Sequence, residues 1–373
     1  MNTGRKVIAL LKAALAAAVI AAGFVSCGGG DNNGSGVGSA PPVVASRYLT
    51  TSLVTDLDTP GTQTDELIVN PWGLAFDPTG YGWVANQDTS TVTLYNGNGA
   101  VQDLVVEIPA GGAGDANPTG IVHNPTQDFR VTQNGVTGVS QFIIAGEAGT
   151  LAGFSQAVNA TEAVTVYDIG DGPVYKGLAI GRSTGAHYLY AADFLNNNID
   201  VFDRNFVRVA LVGHFRDPGL PAGYAPFSIQ TVGDRVYVAY ARQSTTSADE
   251  AVKGAGLGVV SVFNTNGTFI RQLVNGGALN APWGMAVAPV NFGGFSNHLL
   301  VANFGDGRIT AYNTSNGNFA GTLSRSDGTP IVIDGLWGIS FGNGSFSQPL
   351  NTLFFTAGPV NETHGLYGRI DLL

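Results

Sequence analysis

Charge is scarce in this chain. Asp, Glu, Lys and Arg together make up 12% of its 373 residues, so it is neither a charged disordered tail nor a salt-bridged helical rod. Positive charge is scarcest: 17 Lys and Arg stand against 27 Asp and Glu, for a formal net charge of −10. A net anion with no basic stripe repels phosphate backbones, which argues against a nucleic acid partner. Cysteine is nearly absent. Cys27 is the only one, which rules out a disulfide framework. The five histidines (His123, His187, His214, His298 and His364) show no zinc-ligand spacing and no HExxH pattern. The apolar run from Ala13 to Val25 has 13 residues, too few to span a bilayer.

That run instead fits an export signal. Arg5 and Lys6 supply a positive start, and Phe24-Val25-Ser26-Cys27-Gly28 resembles the bacterial lipobox. Residues 1–26 are therefore expected to be a lipoprotein signal peptide, with Cys27 as the lipidated residue. Cleavage near Ser26 of an ordinary signal peptide is the alternative. Residues 27–46, rich in Gly, Ser, Asn and Pro, have nothing to bury and are expected to act as a flexible tether. The mature protein would be exported and held at a membrane by its lipid. The lack of Asp directly after Cys27 favours an outer membrane if the envelope has two.

Glycine is abundant, with 53 residues, and it marks a repeat. Six phrases are alike: Pro71-Trp72-Gly73-Leu74-Ala75-Phe76, Pro118-Thr119-Gly120-Ile121-Val122-His123, Tyr175-Lys176-Gly177-Leu178-Ala179-Ile180, Pro226-Phe227-Ser228-Ile229-Gln230-Thr231, Pro282-Trp283-Gly284-Met285-Ala286-Val287 and Leu336-Trp337-Gly338-Ile339-Ser340-Phe341. Their starts are 47, 57, 51, 56 and 54 residues apart. A period near 50 in a strand-rich chain predicts a β-propeller. In the first repeat, strands are expected at Trp72–Phe76, Tyr81–Asn86, Thr91–Tyr95 and Val101–Ile108, separated by Pro-, Gly- and Asn-rich turns. Residues 47–373 thus read as six four-stranded antiparallel blades. The last repeat has no residues left for a fourth strand, and Arg47–Thr55 reads as the free strand that closes the last blade. Along each inner strand, Trp72, Leu74 and Phe76 would share one face and Gly73 and Ala75 the other, so that blades pack bulky on small.

The segments Val84-Ala85-Asn86 with Val92–Asn96, and Val301-Ala302-Asn303 with Arg308–Asn313, resemble the NHL-type propeller repeat. The span from Tyr48 to Leu373 is similar to a family of uncharacterised secreted bacterial proteins from genomes that carry PEP-CTERM sorting systems. Asn70-Pro71-Trp72-Gly73, Ala222–Phe227, Gly277–Gly284 and Asn303–Gly307 carry that resemblance. It implies a propeller fold and brings no activity. No C-terminal sorting segment is seen, so anchoring would fall to Cys27.

Gly338-Ile339-Ser340-Phe341-Gly342 matches the G-x-S-x-G pattern but lies in an inner strand, where no strand-to-helix elbow exposes the serine. Asp168–Gly172 lacks the closing Glu of an EF-hand and reads as a turn. Candidate sites come from blade geometry instead. Loops that follow second strands and loops that precede inner strands open on one face of a propeller. Asn86, Glu147, Asp193 and Asn303 end second strands there, and oxygens converging from separate blades would suit Ca²⁺. The alternative is that each caps its own hairpin. Trp72, Lys176, Phe227, Trp283 and Trp337 form a second set, suited to a sugar, a carboxylate or an apolar ligand, or else to packing. Lys176, costly to bury alone, is expected to face Glu147 or a ligand. The insertion Gln243–Leu257, with Asp249, Glu250 and Lys253, is a candidate lid or partner contact.

Two functions follow. One is a lipid-anchored envelope propeller that binds a small ligand, glycan or envelope protein. The other is a Ca²⁺-dependent hydrolase or lyase resembling the SMP30-type lactonases, with its site at the channel mouth.

Overall fold

A computed structural model describes residues 46–373; the expected leader, the tether and Cys27 lie outside them. The described residues are almost wholly β-structure. The one helical element among them is a short turn at Gly293–Phe295, and no helix among them is long and apolar enough to cross a membrane. The strands form six antiparallel blades in a ring, as the six-fold phrase predicts.

The blades begin with inner strands at Pro71–Phe76, Pro118–His123, Tyr175–Ser183, Tyr224–Val232, Pro282–Val287 and Leu336–Phe341. Each runs outward through hydrogen-bonded neighbours; the first blade continues with Gly82–Asn86, Thr91–Tyr95 and Val106–Glu107. Its fourth strand is shorter than the expected Val101–Ile108, because Val101 makes only an isolated bridge to Tyr95. Glu107 instead accepts from Ala163 N and donates to Thr161 O, which laces this edge to the second blade. The second blade also carries an added hairpin, Arg130–Gln133 with Val136–Val139. Its turn places both Asn134 and Gly135 at positive φ, as a tight primed turn requires.

The N-terminal strand closes the ring. Tyr48–Thr55 pairs antiparallel with Leu366–Leu372, from Tyr48 opposite Leu372 to Thr55 opposite Leu366. Gln63–Thr64 then adds in parallel on its far side, giving the sixth blade five strands. Tyr48 and Val54 are buried. Tyr48 also reaches the fifth blade, where its hydroxyl donates to Phe292 O at 3.0 Å and its N to Ser324 O at 3.0 Å.

The small residues of the inner strands set how tightly the blades crowd the axis. A Cβ at Gly73 would lie 2.4 Å from Thr119 O of the next blade, and one at Gly120 would lie 2.4 Å from Leu178 N. Gly284 faces Trp337 O in the same way, and Gly338 faces Trp72 O across the closure, both at 2.5 Å. Any side chain there would push two inner strands apart. Thr356 bridges the same closure: Gly338 N donates to its hydroxyl, which donates on to Trp72 O at 2.7 Å.

In one respect the inner strands depart from simple alternation. Every blade has a register shift against its second strand near the mouth. In three blades the shift spans Pro71 to Leu74, Pro282 to Met285, and Leu336 to Ile339, bracketing the Trp-Gly pair. A bulge bends the strand and re-aims a side chain. Trp72 therefore does not share a face with Leu74 and Phe76. It packs with Phe227, Trp283 and Trp337 in one cluster, while Leu74 and Phe76 pack beside Val84, Phe354 and Tyr367 in another. The residue two before each of these three tryptophans (Asn70, Ala281 and Gly335) is left-handed, which turns the chain into the bulge.

Candidate functional site

These bulges bring Trp72, Phe227, Trp283 and Trp337, from four separate blades, together over the axis. Trp72 stacks on Trp337 with ring centroids 3.6 Å apart, and Trp337 stacks on Phe304 at 3.8 Å. Trp283 meets both Trp72 and Trp337 edge-on at 5.8 Å. The rings form a plug. Below it the channel narrows to a void of about 40 Å³ between the inner strands, then widens to an open funnel of about 450 Å³ at the opposite face. The tryptophans thus pack on one another over the axis, with Trp72 and Trp283 each against Trp337 of the neighbouring blade.

Above the plug lies a cavity of about 250 Å³. Its floor is Trp72, Trp337, Phe227 and Phe304, and its walls include Lys176, Gln87 and four carboxylates: Asp88, Glu147, Glu250 and Glu362. A hydrogen-bonded chain runs round one side. Trp337 Nε1 donates to Asn70 Oδ1 at 3.1 Å, Asn70 Nδ2 to Gln87 Oε1 at 3.0 Å, and Gln87 Nε2 to Glu147 Oε2 at 2.8 Å. The other Glu147 oxygen is ion-paired with Lys176. Each link fixes the next, so both amides have one satisfied orientation. Lys176 Nζ lies 5.2 Å from the Trp72 ring centroid.

Three indoles meet here, and two of them are satisfied: Trp337 by Asn70, and Trp283 by Lys176 O at 2.8 Å. Trp72 Nε1 has no partner, although Trp72 is only 3% exposed and lines the cavity. A buried N–H without an acceptor costs roughly 1–3 kcal/mol. A ligand oxygen would remove that cost only by shifting the rings enough to reach this buried N–H.

Two wall carboxylates hold their protons more tightly than usual. Burial raises the pKa of Glu362; the Lys253 charge works against this, while Glu250 adds to it. Burial also raises Asp88, opposed by a hydrogen bond from Asn70. Glu362 sits in a run of three left-handed residues, Val360, Asn361 and Glu362. Val360 N donates to Asp334 at 2.8 Å and Glu362 N to Gly358 O at 3.1 Å, which holds this uncommon turn against the cavity.

The four residues expected to share Ca²⁺ have separate partners. Asn86 Nδ2 donates to Thr91 and Thr93. Asp193 accepts from Val174 N and Asn196 N. Asn303 Oδ1 accepts from Asn280 N, and Glu147 holds Lys176 and Gln87. Of their side-chain oxygens, Asn86 Oδ1 is the one that is buried without a hydrogen-bond partner. Ca²⁺ takes six to eight oxygens, so this donor set as arranged does not fit it. No cluster of three or more His, Cys, Asp or Glu able to hold a metal occurs among the described residues.

Lys176 and the aromatic set lie where the sequence places them, on the loop face. Asn70, Gln87, Asp88, Phe304 and Glu362 also line or adjoin the cavity and are not among the residues that the sequence singles out. All but Asn70 lie in loops that follow second strands, one to five residues past the strand ends, so the same rule extended into the loops points to them. The insertion Gln243–Leu257 is ordered by its contacts: Gln243 Nε2 donates to Phe194 O at 2.7 Å, and Gly254 N to Asn280 Oδ1 at 2.6 Å.

No protein-family model matches the chain. A protein of unknown function from Bacteroides thetaiotaomicron has a similar structure, with a TM-score of 0.54 at 12% identity over 88% of this chain and 76% of that one; the likeness is one of fold. Uncharacterized protein L690 of Acanthamoeba polyphaga mimivirus is 32% identical over 82% of this chain and 81% of its own length. Uncharacterized protein R648 of the same virus is 35% identical over 85% of this chain and 78% of its own. These relatives are viral and give no support to the expected bacterial PEP-CTERM grouping. The chain belongs to one family with these mimivirus proteins.

Proposed function

We propose that this protein is a binding propeller that takes a small polar ligand in the loop-face cavity. The observation that carries the reading is the unsatisfied indole of Trp72 in the floor of a site where Asn70, Gln87, Glu147 and Lys176 are oriented by mutual polar contacts. Pre-oriented groups beside one unpartnered, buried donor lower the ordering penalty of binding. The leader supports a place for the module: exported, and anchored to a membrane through lipid on Cys27.

Intrinsic fluorescence tests the binding, because three of the four tryptophans line or adjoin the cavity while Trp83 stacks on Phe142 elsewhere. A panel of sugars, carboxylic acids, amino acids and amines is titrated into the parent and into Trp72→Phe. The expected result is a saturable change with at least one compound, weakened tenfold or more in Trp72→Phe at little change in melting temperature. A panel without saturable responses, or hits indifferent to Trp72→Phe, would remove the reading.

A further inference from the structure

The face opposite the cavity is poor in charge beneath blades five and six. There the loops that join inner to second strands are residues 288–297 and 342–352. Neither loop holds an Asp, Glu, Lys, Arg or His, whereas four carboxylates line the cavity on the other face. The two loops expose Val290 at 80%, Phe346 at 48% and Leu350 at 62%. The funnel on this face is similar: His123 is the one ionisable residue in its wall, and Phe76, Val287 and Phe341 give it partly buried apolar sides.

The second loop is firmly held. Asn343 Nδ2 donates to Gly80 O at 2.8 Å, Gly344 N to Gln348 O at 2.8 Å, and Gly97 N to Phe346 O at 2.9 Å. Phe346 and Ser347 are both left-handed, at φ 46° and 62°, an uncommon backbone for a bulky residue whose ring stays half in water. The chain also enters the propeller here. Tyr48 lies opposite Leu372, and Ser46 Oγ accepts from Gly294 N of the first loop at 2.5 Å. Cys27 stands 19 residues before Ser46.

Drawing on the anchoring reading above, we infer that loops 288–297 and 342–352 lie on a lipid bilayer, with Val290, Phe346 and Leu350 in its interface and the cavity turned outward. Exposed apolar side chains on a rigid, uncharged frame gain by leaving water, and no charge on these loops opposes their entry. Anionic lipid repels the carboxylate-lined mouth but not these loops. Three side chains bind weakly alone. A tether presents them at high effective concentration, so the contact persists.

The full chain is coupled through Cys27 to phosphatidylcholine vesicles that carry a maleimide lipid, which supplies the anchor. Its amide hydrogen exchange is compared with that of the same chain capped by N-ethylmaleimide and free of vesicles. If the bilayer covers the two loops about three-quarters of the time, their exchange slows about fourfold, while residues 243–258 at the mouth stay unchanged. Combining Val290→Ser, Phe346→Ser and Leu350→Ser is expected to return both loops to the free rate, with melting within about 2 °C of the parent. Loops that do not slow overturn the inference, and so does equal slowing at the mouth or slowing that survives the triple variant. Slowing that appears without vesicles and grows with protein concentration assigns the face to a second copy and overturns it too. Because the anchor is supplied, failure here leaves the lipid on Cys27 untouched; Cys27→Ser tests that reading separately.

Discussion

Tyr48→Ala tests the ring closure at a single side chain. The residue is 1% exposed, packs on Phe292 at 4.9 Å and on Phe295 at 6.2 Å, and donates its hydroxyl to Phe292 O. Burial pushes its phenol up to about 12, as expected for a group removed from water. Truncating a buried aromatic to alanine removes about 3–5 kcal/mol. At about 2.1 cal/mol/K per residue, the described domain has an unfolding entropy of roughly 0.7 kcal/mol/K. The melting temperature should therefore fall by about 4–7 °C. Leu49→Ala, one residue along the same strand but 51% exposed, is the control and should shift it by less than about 1 °C. Tyr48→Phe, which loses only the hydroxyl bond, should lie between them. Scanning calorimetry at pH 7 measures all three. A Tyr48→Ala protein melting within about 1 °C of the parent would mean that the strand does not hold the ring shut.

Three further outcomes follow from the site and the leader. Lys176→Met should destabilise the domain, because it strands Glu147 on a cavity wall; adding Glu147→Gln should restore most of the melting temperature while abolishing binding, and a double variant that still binds would make the pair purely structural. Glu362→Gln should raise the melting temperature at pH 7–8, since the folded state holds this carboxyl's pKa above its unfolded value and so disfavours its charge. The gain should fade as pH falls through the raised pKa and vanish below about 4.3, where both states are protonated; a gain independent of pH would contradict the assignment. Cys27→Ser should move the protein from the membrane fraction to the soluble one, and unchanged partitioning into detergent would argue against lipid anchoring.

Much of this architecture is written in the chain. The six-fold phrase predicts six blades, and the glycine found in five of its copies is needed where the next inner strand comes within contact distance, as Gly73 and Gly338 show. A missing fourth strand in the last repeat points to the N-terminal strand, and Tyr48–Thr55 fills that place. The aim of the tryptophans was not legible. Period-two alternation puts Trp72 with Leu74, but the register shift across Trp72-Gly73 turns the ring towards the axis, and a bulge leaves no mark in hydrophobic pattern. The reach of loops was also hidden. Glu362 enters the wall through a left-handed turn at Val360–Glu362, a conformation that a β-branched residue seldom adopts and that sequence gives no reason to expect.

The most direct test of the binding cavity observes the Trp72 indole itself. In the ¹H–¹⁵N spectrum of tryptophan-labelled protein, four indole signals are expected, and Trp72→Phe identifies one of them. Pools of small metabolites are then added. The Trp72 signal should move downfield with at least one pool as its N–H gains an acceptor, while the Trp83 signal, from the stack on Phe142, stays in place. A Trp72 signal that no pool moves, or that moves only together with Trp83, would contradict the account.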